Sequence, residues 1–167
     1  MNHPLVLALF DRPGAVVAAA RALHADGVTR DRISVIARNH DEEGVLAREL
    51  EATPGAEVED SRPAALAGEL SGFVLAAIAF VLPGVGPIVA AGPLSAGLGE
   101  AAGHVAGGIA SALTDAGVER ERAAALESEV ERGAILLGVH VHGSPDRTAA
   151  TLVSAGGREV QIVSWRE

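Results

Sequence analysis

From Leu70 to Gly99 the chain carries no ionisable side chain, and an apolar run of that length has to be hidden from water, whether in a core, a partner or a lipid phase. Pro83-Gly84-Val85-Gly86-Pro87 interrupts the run near its middle. Two prolines and two glycines so closely spaced end any helix that enters them. The run therefore reads as two helices, over residues 64–82 and 93–115, folded back on each other as a hairpin, and not as one membrane-spanning rod.

The second of these helices would carry Gly99, Gly103 and Gly107, followed by Ser111, at four-residue spacing. The first answers with Gly68, Gly72 and Ala76. Spacing of four strips one helix edge of side chains, so that two backbones can pack closely. Each interior glycine costs about 1 kcal/mol relative to alanine, a loss that such packing would offset. Pro83, Gly84, Gly86 and Pro87 form the turn, and with the glycines they make the predicted interface. Glu100 and His104 lie within the second helix, and a charge in hydrocarbon costs several kcal/mol. Burial against protein, between protomers or back onto the domain, is the leading expectation. The alternative is a peripheral membrane protein whose hairpin dips into one leaflet.

The flanks share a second pattern. Residues 4–10 are apolar and read as a strand, a helix follows over 13–25 with Val16, Ala20 and Leu23 on one face, Gly27 closes it, and 32–38 is a second strand. Near the C-terminus the order recurs: a strand over 134–142, a helix opened by Ser144-Pro145-Asp146 and closed by Gly156-Gly157, and a strand over 160–165. Two such β-α-β units most simply share one antiparallel four-stranded sheet with both crossover helices on one face. The expected class is α+β, a ferredoxin-like split βαβ sandwich with a large inserted apolar helical hairpin. The whole chain, 1–167, is then one domain: a first βαβ half (1–40), an acidic linker (41–62), the glycine-rich hairpin (63–116), a connecting helix (117–133) and a second βαβ half (134–167). In the connecting helix Ala123, Leu126 and Val130 align. The linker reads as solvated, since Asp41 to Asp60 holds eight acids against the single Arg48.

Composition removes several function classes. The chain has no cysteine, and its 13 basic residues are all arginine, so thiol chemistry, thiolate zinc sites, P-loop lysines and Schiff-base lysines are excluded. A formal charge of −9 with 2% aromatic residues opposes nucleic-acid binding, which needs cations and stacking platforms. Gly84-Val85-Gly86 lacks the strand before it and the acidic residue after it that a dinucleotide fingerprint requires. Ser34, Ser71 and Ser164 lack a nucleophile-elbow setting. No catalytic residue and no cofactor is expected.

His140 and His142 stand one residue apart on the third strand, so both project from one face. The plain reading is a solvent-facing sheet edge. The sharper one is a metal or small-ligand sensor, in which two imidazoles share one metal and His3 or an acid from the linker approaches as a third ligand. His104, four residues beyond Glu100, reads as a packed polar residue of the hairpin.

Three segments together resemble the bacterial general stress protein domain, the group of heat-induced and low-temperature-induced stress proteins. They are Leu5 to Gly27 leading into Arg32-Ile33-Ser34-Val35, the turn Leu82 to Pro87 continuing to Ala90-Ala91-Gly92-Pro93-Leu94, and the Glu-rich helix entering Arg132-Gly133-Ala134-Ile135-Leu136. The resemblance covers most of the chain and implies a stress-linked, non-enzymatic role with no catalytic residues to carry over. The expectation is a cytoplasmic, self-associating protein, a homo-oligomer up to a large assembly, with membrane association as the rival.

Overall fold

The computed structural model describes residues 3–38, 78–82, 86–95, 98 and 108–165. Strands β1 (His3–Phe10) and β2 (Ile33–Arg38) flank helix α1 (Pro13–Ala25), and strands β5 (Ile135–His140) and β6 (Arg158–Trp165) flank α4 (Pro145–Ser154). Between them come β3 (Ile78–Leu82), β4 (Gly86–Ala91), α2 (Ile109–Asp115) and α3 (Arg120–Glu131). Among the described residues the sheet has six strands in the order β3-β4-β2-β5-β1-β6, their pairings all antiparallel. The protein is thus of the α+β class, and its two flanking units interleave, with β5 between β1 and β2 and β1 between β5 and β6.

The central strands β1 and β5 are apolar at nearly every position, the pattern of a strand covered on both faces. Alternate residues of β1 accordingly enter different cores. Val6, Ala8 and Phe10 pack with Val16, Ala20 and Leu23 of α1 and Leu152 of α4. Leu5, Leu7 and Leu9 pack with Ile109 and Leu113 of α2, with Ala123, Leu126 and Val130 of α3, and with Leu94 and Leu98. The crossover helices share one face as expected, and the connecting helix buries the three predicted residues. The second face is closed by α2 and α3, and Glu127 of α3 holds the start of α2: the Ala110 N–H donates to Glu127 Oε2 at 2.7 Å. Arg38 reaches across from β2 to donate to the Glu131 carbonyl at the end of α3, at 2.7 Å.

The predicted helical hairpin is corrected at two places. Residues 78–82, assigned to its first helix, form β3, and Gly86 and Pro87, assigned to its turn, begin β4. The chain does double back where Pro83-Gly84 was read as a turn, but it does so between two paired strands. An uncharged run has no polar face, so neither helical nor strand periodicity can be read from it. The β-branched and aromatic residues of Ile78-Ala79-Phe80-Val81-Leu82 suit a strand. Secondly, no single helix spans 93–115, because Gly108 is extended (φ −102°, ψ −171°) and α2 starts after it. Ser111 lies in α2, whereas Gly68, Gly72, Ala76, Pro83, Gly84, Gly99, Glu100, Gly103, His104, Gly107 and the linker 41–62 fall outside the described residues.

The strand pair is anchored just past its end. Gly92 has φ +82° and lies so close to β2 that an added Cβ would overlap the Ile33 carbonyl oxygen and sit 2.7 Å from Ser34 Cα. Two residues on, the Leu94 N–H donates to the fully buried Ser34 Oγ at 3.1 Å. Ser34 thus satisfies a buried backbone donor, as buried polar groups must. Gly92→Ala should therefore cost clearly more than Gly156→Ala. At Gly156 (φ +95°) an added Cβ meets nothing within 4 Å, leaving only the left-handed backbone penalty of about 1–2 kcal/mol. Urea denaturation of the two variants measures the difference, and equal losses would disprove the close approach of 92 to β2.

Candidate functional site

Three strand ends converge at one corner of the sheet. The register pairs Leu5 with His140 on β1–β5 and His3 with Trp165 on β1–β6. The Val141 N–H donates to the Pro4 carbonyl at 2.8 Å, which carries the ladder one residue past β5. With a side-chain period of two, His3, His140, His142 and Trp165 fall on the same face as Leu5 and Leu136, the face covered by α2 and α3.

His3 is the centre of the group. Its ring centroid lies 5.1 Å from that of His140, 5.4 Å from that of His142 in a stacked arrangement, and 6.4 Å from Trp165. His3 Nε2 and His140 Nδ1 are 2.8 Å apart and share a hydrogen bond in which one imidazole donates and the other accepts. His140 also meets Trp165 edge-on, with centroids 4.5 Å apart and planes at 77°. Its other nitrogen, Nε2, is buried without a hydrogen-bond partner among the described residues.

The sequence reading of His140 as solvent-facing is corrected. β5 is an interior strand, and His140 is 5% exposed, while His142, just beyond the strand, is exposed. Burial lowers the His140 pKa from 6.5 to about 4, helped by repulsion from His3 and His142. At neutral pH His140 is therefore an uncharged packing and hydrogen-bonding group. A general acid or base works best with a pKa near the operating pH, so this ring is not tuned for proton transfer at pH 7.

His3 was anticipated as a neighbour of the pair; Trp165 was not. Its position follows from strand parity once β6 is known to pair with β1, information that pattern alone does not hold. No group of three or more His, Asp or Glu side chains among the described residues is arranged to hold a metal, and the facing nitrogens of His3 and His140 are already engaged with each other.

A second feature, an open cleft of about 280 Å³, lies where α1 ends and α4 begins. Asp26, Arg32, Ser144, Arg147 and Thr148 are among its lining residues. Its charges are largely tied down: Arg147 Nη2 bonds Asp26 Oδ1 at 2.6 Å, and Thr151 Oγ1 donates to Asp26 Oδ2 at 3.1 Å. Ser144 Oγ caps α4 by accepting from the Arg147 N–H.

Compared with known protein families, characterised proteins and solved structures, the chain matches none. Function is accordingly argued from the fold and the site themselves.

Packing, more than the bond to His3, should hold His140 in place at neutral pH. His140→Phe, which keeps the ring and removes the unpartnered nitrogen, should stay within about 1 kcal/mol of the parent, whereas His140→Ala should lose about 2–3 kcal/mol to the cavity it leaves. Urea denaturation at pH 7 gives the order, and equal losses would transfer the role to the hydrogen bond.

Proposed function

We propose that this protein acts by non-enzymatic self-association and that the associating element is the strand pair β3–β4, with β3 as the open seam. The observation that carries this reading is the position of β3: it is an edge strand of the sheet, no described strand pairs with its outer side, and unlike the other edge strand, β6, which carries Arg158 and Glu159, it contains no charged residue. An uncharged edge is a template for another strand, because its outward N–H and C=O groups lack partners and no charge opposes docking.

Which groups face outward follows from the ladder. The Val141 to Pro4 bond sets the parity of β5 against β1. Alternation across the successive registers then turns Val35 and Ala37 of β2 toward β4, Ile88 and Ala90 of β4 toward β3, and the backbone of Ala79 and Val81 toward the open side. Pro87 agrees with this assignment. It pairs with Val81 at a position whose backbone points away from β3, so its missing N–H costs the β3–β4 ladder nothing.

The interleaved order β2-β5-β1-β6 supports reading the flanking units as a ferredoxin-like split βαβ core, with residues 39–134 as an insertion that extends its sheet. The link to stress rests on the resemblance to the general stress protein domain, and a cysteine-free composition suits the cytoplasm. Among the described residues no helix is long and apolar enough to cross a membrane.

Light scattering after size exclusion should show an assembly. Val81→Pro should reduce its mass without lowering the melting temperature by more than a few degrees, because it removes an outward donor and leaves the bonds to β4 intact. A parent monomer, or an unchanged mass in the variant, would exclude this seam. Flotation with liposomes would instead identify the hairpin as a leaflet-inserting element.

A further inference from the structure

We propose that the His3–His140 pair is an acid-released latch that clasps the start of β1 and the end of β6 to the central strand β5. The bond spans 137 residues of chain and joins two strands at their extreme ends, beyond their last apolar pair, Val6 with Val139. Trp165 lies against both rings, 4.5 Å from His140 and 6.4 Å from His3. Opening the latch therefore frees three strand ends at one corner while both helix-covered cores stay closed.

Proton bookkeeping makes the pair sensitive to acid. With both rings neutral, each carries one N–H, and one of these N–H groups lies between His3 Nε2 and His140 Nδ1. A proton added to His3 at Nδ1 leaves that bond intact, because its Nε2–H still donates to the bare Nδ1 of His140. A further proton, on His140, then fills its Nδ1, the last bare nitrogen at the contact, so the two charged rings oppose N–H to N–H across 2.8 Å and the contact becomes repulsive. The buried Nε2 offers no escape, since it has no partner among the described residues through which His140 could share a positive charge.

The groups facing His140 reinforce this. From β1 it meets His3 and from β6 the neutral indole of Trp165, while His142, beyond β5, acts on it by charge repulsion. From the segment after β4 and from α2 and α3, the residues buried in the adjoining core are apolar, Leu94, Leu98, Ile109 and Leu126 among them. Among the described residues, the charges that shift His140 are those of His3 and His142, and both oppose its protonation.

The sign follows from linkage. In the closed corner His140 takes its proton only near pH 4, against 6.5 for a free imidazole. The open form thus binds more protons between those values, and the closed form loses ground by about tenfold per pH unit as pH falls through that window. Above pH 6.5 the latch is fully set, and below about 4 the loss levels off.

Trp165 is the only tryptophan and reports the corner directly. Acrylamide quenching of its fluorescence should rise several-fold between pH 6.5 and 4 while the far-ultraviolet circular dichroism holds, and His140→Phe should abolish the rise. Quenching that stays flat in the parent, or an identical acid transition in His140→Phe, would overturn the latch. Should that variant fail to fold, nitrogen-detected NMR of the parent decides. His140 ring signals that titrate well below 6.5 together with the Trp165 indole signal support the proposal, and independent titrations refute it.

Discussion

Everything in this structure depends on the burial of β1 and β5 from both sides. Strands so uniformly apolar cannot leave a face to water, so a sheet with helices on one side only would expose Leu5, Leu7, Leu9 and Leu136. At about 25 cal/mol per Å² of apolar surface, leaving each such side chain wet forfeits on the order of 2 kcal/mol. The crossover helices α1 and α4 close one face and can close only one. The second face recruits α2, α3, Leu94 and Leu98 from the middle of the chain, which turns a region legible as an insertion into an integral half of the core.

That demand also explains how the middle region is held. Gly92 lets the chain leave β4 against the backbone of β2, and Ser34 accepts the Leu94 N–H immediately afterwards, so Leu94 is delivered over the sheet. There its side chain faces Gly138, where an added Cβ would lie 2.7 Å from Leu94 Cδ1. Glycine on this central strand is thus the space into which the incoming leucine fits. The motif Ala90-Ala91-Gly92-Pro93-Leu94 has a mechanical meaning: it joins the added strand pair to the second core layer.

The histidine corner and the open strand β3 lie toward opposite sides of the same sheet, with β4, β2 and β5 between β3 and β1. They differ in kind. At the corner a polar group is buried with one nitrogen unanswered, so its protonation state is coupled to local packing. At β3 the outward backbone groups have no partner strand among the described residues, the feature on which the proposed association rests. At neutral pH the corner imidazole is held uncharged by its burial.

The flanking β-α-β units, the class of fold, the face of α3 and the pairing of His140 with His142 on one side of a strand were all determined by sequence, because alternation, helical spacing and end signals are local properties of polar and apolar order. Three things were settled only by the tertiary structure. Residues 78–82 and 86–91 became strands because an uncharged run has no polar face to reveal its period, and the neighbouring edge of β2 supplied the ladder. His140 became buried because strand order, not strand pattern, decides whether a strand is interior. Trp165 joined the corner because pairing between residues so far apart in the chain is written in the register of a sheet, which no short stretch of residues contains.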